Sequence, residues 1–177
     1  MKSDNLATAL QRARTVLHRR PDKGLQDDAP AIARLEAGAR VVSRHANGTE
    51  MVTDMPRELG GGGAHVSPGW LFRAGLASCA ATCIAMNAAA DGVVLESLAV
   101  EATSRSDTRG VLRMMEADGT PVSAGAHDLT LQVRIRAAGI DPHTLRHMVE
   151  QGLRASPIAV TVTGGAPLAL QVDIEAD

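Results

Sequence analysis

Ser67-Pro68-Gly69-Trp70-Leu71-Phe72-Arg73-Ala74-Gly75-Leu76-Ala77-Ser78-Cys79 opens a long apolar helix. Ser67 suits the N-cap, because its short oxygen-bearing side chain can accept from a free backbone N–H. Pro68 suits the first helical position, where no N–H is needed. Gly92 closes the run, so the spacing predicts a helix over 67–91, entered from the glycines 60–63. The helix is apolar nearly all round, and Gly75, Ala77, Ser78, Ala80, Ala81 and Ala85 are small enough for a neighbour to approach closely, which places it at the centre of the fold. Its length approaches the roughly 20 residues of a membrane span. Arg73 and Asn87 interrupt it, and the strands around it alternate as water-facing strands do, so no membrane partner is expected.

Working outward, Leu6, Leu10, Ala13 and Leu17 recur at helical spacing until Pro21 stops them. Residues 21–30, framed by Pro21 and Pro30, read as a linker. This divides the chain into an N-terminal amphipathic helix with its linker, 1–30, and a main domain, 31–177. Residues 31–44 and 49–54 read as a hairpin around Asn47-Gly48. Strands are expected near 95–106 and 111–116, joined by a turn at 107–110. Leu129, Leu131, Val133 and Ile135 alternate with polar residues at the period of a half-buried strand, and Leu168, Leu170, Val172 and Ile174 repeat that pattern. Asp141-Pro142 starts a second helix that ends near Ala155, before Ser156-Pro157. Helices and strands in this order, without a βα rhythm or an internal repeat, give an α+β fold.

Composition narrows the function classes. The 177 residues suit one domain with an extension, and aromatics are nearly absent: Trp70, Phe72 and no tyrosine. The pair either fills the core or walls a pocket at the mouth of the cysteine helix. Residues 1–44 carry nine Lys/Arg against five Asp/Glu, and the remainder carries nine against fifteen. The basic lead lacks the dense cationic run and interleaved aromatics of nucleic-acid binders, so it reads as a solvated or dimer-facing helix and no nucleic acid is expected. With no apolar signal core and two cysteines that make no disulfide framework, a cytoplasmic, reducing compartment is expected.

Those two cysteines, Cys79 and Cys83, lie four residues apart on the central helix. They are either small buried hydrophobes or the seat of thiol chemistry. His143, His147 and Glu150 share one face of the second helix, but Thr144 occupies the position of a metalloprotease glutamate, and a polar face is expected with no metal or cofactor.

Pro56-Arg57-Glu58-Leu59-Gly60-Gly61, followed by Ser67-Pro68, Leu71-Phe72 and Ala77-Ser78-Cys79, resembles the OsmC/Ohr family of peroxide-detoxifying proteins over residues 31–175. The resemblance implies an intertwined homodimer with two central helices packed on curved, mostly antiparallel sheets and sites at the subunit interface. It also implies a peroxidase of oxidative stress acting on organic hydroperoxides. Cys79 would attack the peroxide as a redox cysteine, and an arginine, Arg57 ahead of Arg44 and Arg73, would stabilise the thiolate. Trp70, Phe72 and Ser156 would contribute to the pocket.

Two positions depart from the family pattern. The second family cysteine corresponds to Ser156, whose hydroxyl cannot resolve a sulfenic acid, and the family acid after the helix-initial proline is Gly69. Cys83 is a possible resolving residue, although neighbouring Cβ atoms on a helix stand about 5–6 Å apart while a disulfide needs about 3.5–4.5 Å. An external thiol reductant is the other route. The alternative function is a non-catalytic family dimer holding a small apolar ligand or partner.

Overall fold

The computed structural model describes residues 3–175, so the outermost residues of both sequence-predicted units, 1–2 and 176–177, lie outside it. Helix α1 (Ser3–Arg19) leads through a short 3-10 turn at Pro21–Lys23 into a three-stranded antiparallel meander. Its strands are β1 (Ile32–Ala37), β2 (Arg40–Arg44) and β3 (Glu50–Thr53). The expected strand over 31–44 is therefore two strands. Gly38, at φ +55°, supplies the left-handed residue that folds the chain back between them. The turn around Asn47-Gly48 forms as expected, with Gly48 at φ +88° and its N–H donating to the His45 carbonyl.

Helix α2 (Pro68–Ala90) starts where the sequence places it, with Ser67 accepting from the Trp70 N–H at 3.2 Å. Its buried residues Leu76, Ala80, Ile84 and Ala88 recur every four positions and form one stripe. The helix is long and apolar enough to cross a membrane by length and composition alone. Here it packs on α1, on β4 (Ser97–Arg105), on α4 (Pro142–Arg154) and on α5 (Pro157–Gly164). Gly152 makes the α2–α4 crossing close: a Cβ there would stand 2.7 Å from Ile84 Cα. Asn87 Nδ2 pins the same crossing by donating to the Met148 carbonyl at 3.0 Å.

Strand β4 pairs antiparallel with β5 (His127–Arg136), Val100 opposite Val133. Leu98, Val100 and Ala102 share the α2-facing side of the sheet with Leu131, Val133 and Ile135, while Glu101 pairs with Arg134 on the other face. The expected turn at 107–110 is the short helix α3 (Thr108–Val111). The expected strand at 111–116 is absent apart from one bridge, Met115 to Pro121. Asp107 explains the helix: its carboxylate caps the Arg109 N–H and also holds the Arg109 guanidinium, leaving residue 107 no extended continuation.

Two further corrections concern the C-terminal third. Ser156-Pro157 ends α4 but also begins α5, which the sequence reading took for a stop alone. The alternating segment Leu168–Ile174 forms no strand within the chain: Leu168 is 97% exposed, Leu170 85% and Ile174 88%. Its pattern is that of a half-buried strand, but the described residues offer it neither a ladder neighbour nor an apolar face.

Candidate thiolate site

The α4–α5 turn, residues 155–156, folds onto the flank of α2. Cys79 and Cys83 follow each other at helical spacing of four, one position before the buried residues Ala80 and Ile84, and face that turn. Ile158 of α5 packs over Gly75 on the same flank, where a Cβ would meet Ile158 Cδ1 at an ordinary contact distance of 3.8 Å. Ser156 is fully buried, and its hydroxyl donates to Cys79 Sγ at 3.2 Å. The Cys83 thiol donates to the Ala155 carbonyl at 3.5 Å. One turn thus contacts both sulfurs.

Electrostatics separate the two thiols. Burial pushes the Cys79 thiol up, but hydrogen bonding, first from the Ser156 hydroxyl and then from the Ile158 backbone N–H, outweighs it and leaves Cys79 below its ordinary value. The Ile158 N–H belongs to the free first turn of α5, where backbone donors have no helical partner. Cys83 moves the other way, because burial and the neighbouring Cys79 charge favour its protonated form. The pair therefore holds one thiolate-prone sulfur beside one thiol.

No arginine contacts Cys79 among the described residues. Arg57 Nε donates to the Gly62 carbonyl at 3.3 Å, Arg73 Nη1 donates to Ser104 Oγ at 3.3 Å, and Arg44 is ion-paired with Glu50 at 2.6 Å. Arg57, Arg73, His65 and Trp70 instead line a separate cleft of about 500 Å³ at the start of α2. Cys79 lies six residues beyond Arg73, about 9 Å along the axis and roughly a third of a turn around it. Glu58 lines this cleft too and makes no ion pair among the described residues, while Glu50 is taken by Arg44. Position 69, where the family acid is missing, faces Arg73: a Cβ there would stand 3.8 Å from its Nη1.

The two aromatics part company. Trp70 belongs to the cleft, whereas Phe72 lies seven residues before Cys79 and so shares its face about 10 Å along the helix. Both are exposed in the single chain, so neither fills its core. His147 Nε2 lies 3.3 Å from the Gln151 amide, and among the described residues no three His, Cys, Asp or Glu side chains gather around a metal-sized space.

Sequence reasoning missed two contributors. The Ile158 N–H is a backbone group, but the Ser156-Pro157 signature that creates it is the one that opens α2 and was open to the same reading. Asp54, almost fully buried, holds the glycine loop by accepting from the Met55 N–H at 2.7 Å and the Gly62 N–H at 2.9 Å. Gly61 is required there, because a Cβ would overlap the Met55 carbonyl.

The family description "OsmC-like protein" matches residues 60–171, well over half of the chain. Among solved structures, an OsmC-like protein of Mycoplasma pneumoniae aligns at TM-score 0.64 and 16% identity, covering 79% of this chain and 90% of its own. An organic hydroperoxide resistance protein OsmC of Legionella pneumophila aligns at TM-score 0.53 and 21% identity, over 78% and 93%. The organic hydroperoxide resistance protein OhrB of Bacillus subtilis aligns at 0.51 and 16%, over 78% and 92%. At these identities the likeness carries the fold. No curated protein matches the sequence.

Proposed function

The chain belongs to the OsmC-like protein family, and we propose that it is a thiol-dependent hydroperoxide reductase with Cys79 as nucleophile and an external thiol as reductant. The observation that carries this reading is the fully buried Ser156 hydroxyl donating to Cys79 Sγ at 3.2 Å, on a sulfur that no cation touches among the described residues. A purely structural cysteine, packed as a small hydrophobe, has no use for such a donor. Relatives of similar fold described as organic hydroperoxide resistance proteins support the substrate class.

In the proposed reaction the Cys79 thiolate attacks one peroxide oxygen. The O–O bond breaks, an S–O bond forms, and the alkoxide departs with a proton as the alcohol. The Ser156 hydroxyl and the Ile158 N–H stabilise the thiolate beforehand and the sulfenate afterwards. Phe72 extends the apolar surface on the attacking face. Ser156 holds the sulfur but cannot condense with it, so reduction draws on thiols from outside: two are consumed, one disulfide forms, and the peroxide oxygen leaves as water.

A homodimer is part of the proposal. A compact monomer of this mass exposes about 8200 Å², whereas this chain exposes 13536 Å². The excess of roughly 5000 Å² on one chain is more than the per-chain share that an obligate interface buries, so a partner has ample surface to cover. The unpaired segment Leu168–Ile174 and the exposed Trp70 and Phe72 are its natural contents. A role for Arg57 at a thiolate requires this second copy, because within one chain it has no contact with Cys79.

Consumption of cumene hydroperoxide with dithiothreitol as reductant tests the reading. The wild type is expected to turn over and Cys79→Ser to be inactive. Equal, background-level consumption by both would leave a family scaffold that binds a small apolar ligand without chemistry.

A further inference from the structure

Helix α1 lies outside the matched family region and packs on α2 beside the thiol pair. Between them is a cavity of about 200 Å³ lined by Leu10 and Arg14 of α1, Cys83, Met86 and Asn87 of α2, and Ala155. At about 30 Å³ per water, it has room for roughly six or seven waters, the bulk of a small organic thiol. Its walls carry one charged group, Arg14, and no carboxylate. The Arg14 guanidinium has no hydrogen-bond or ion-pair partner among the described residues. An unpaired guanidinium over an apolar hollow that ends on a sulfur fits a carboxylate at one end and a thiol at the other.

The geometry points to this cavity as the docking site of the reducing thiol, a small carboxylate-bearing thiol whose carboxylate binds Arg14 and whose sulfur enters the pair at Cys83. The inference rests on the peroxidase reading above and adds the reductant's chemistry and entry point. Cys79 sulfenic acid condenses with the adjacent Cys83 thiol: the S–O bond breaks, water leaves and a Cys79–Cys83 disulfide forms as the helical turn between them unwinds locally. The incoming thiolate attacks Cys83 Sγ, the sulfur that lines the cavity. The S–S bond breaks toward Cys79, the better leaving group because its thiolate keeps the Ser156 and Ile158 hydrogen bonds. A second thiol then displaces the first from Cys83, leaving the free disulfide and both protein thiols reduced.

The test has two arms. In a Cys79→Ser background, Cys83 is the sole cysteine, and its alkylation by iodoacetate and by iodoacetamide compares an anion with a neutral reagent of nearly the same shape. Arg14→Gln is expected to lower the iodoacetate-to-iodoacetamide rate ratio about three- to tenfold, as loss of one charge-assisted contact would. Arg14→Lys should retain most of the ratio. An unchanged ratio, or equal change for both reagents, overturns Arg14 as a carboxylate binder. In the second arm, protein oxidised with one equivalent of cumene hydroperoxide is re-reduced with thioglycolate or with 2-mercaptoethanol. Preference for thioglycolate that is lost in Arg14→Gln is expected, and its absence overturns the reductant role. A Cys79 that never oxidises overturns the peroxidase reading itself, while the alkylation arm still judges the cavity.

Discussion

Ser156 Oγ donates to Cys79 Sγ across 3.2 Å, linking the central helix to a residue 77 positions later in the chain. The same serine caps α5, whose first turn supplies the Ile158 N–H to the same sulfur. Helix formation and thiolate stabilisation therefore depend on one Ser-Pro step. In the proposed reaction the task of residue 156 is to prepare the nucleophile, because its hydroxyl donates to Cys79 and cannot condense with a sulfenic acid.

Ser156→Ala should raise the midpoint of the Cys79 alkylation profile against pH and slow alkylation at pH 7 by about three- to tenfold, the worth of one hydrogen bond to a charged group. Alkylation with iodoacetamide in a Cys83→Ser background reads it. Ser156→Cys, by contrast, should form a reversible bond to Cys79 after peroxide treatment, seen as a loss of two hydrogens by mass.

Lowering of the Cys79 thiol in the fold has a sign for stability. Its contribution is present above the unfolded thiol value, about 8.5, and is lost as pH falls through the lower folded value. In a Cys83→Ser background, which removes the opposing shift of the second thiol, the stability advantage of Cys79 over Cys79→Ser should be larger at pH 9 than at pH 6. Urea denaturation at the two pH values measures the difference, and a pH-independent gap would mean that the thiolate is not favoured by the fold.

Gly152→Ala should destabilise the chain by about 1–3 kcal/mol through overpacking, because its Cβ would stand 2.8 Å from Ile84 Cγ1 in the middle of the α2–α4 crossing. Ile84 is fully buried and has little room to move away. Thermal unfolding checks this, with Gly164→Ala, where a Cβ meets nothing within 4 Å, as the neutral comparison.

Ending the chain after Gly165 removes Leu168, Leu170, Val172 and Ile174, which contact little in their own chain. Sedimentation should show the full chain as a dimer and the shortened chain as a monomer or a weak dimer. A shortened chain that stays fully dimeric would place the interface elsewhere.

Much of this was legible from residues. Ser67-Pro68 and Gly92 bound α2 because caps act through local backbone chemistry, and Asp141-Pro142 marks α4 for the same reason. Gly38 was harder, since a single left-handed residue inside an apolar run carries no periodicity of its own. The alternation at 168–174 correctly describes a strand's surface demand, but a ladder also needs a neighbour, and the described residues hold none for it. At the site, Cys79 and Ser156 were identifiable by motif. The Ile158 N–H, the cleft that separates Arg57 from Cys79, and the cavity under α1 arise from how helices cross, which no local pattern records.

The most direct measurement is the intact mass of the protein within seconds of mixing with one equivalent of cumene hydroperoxide, with Cys79→Ser and Cys83→Ser alongside. Chemistry at Cys79 predicts a gain of one oxygen or the loss of two hydrogens in the wild type, a gain of one oxygen in Cys83→Ser, and no change in Cys79→Ser. A wild type that stays at its reduced mass while free cysteine in the same solution is oxidised would contradict the account.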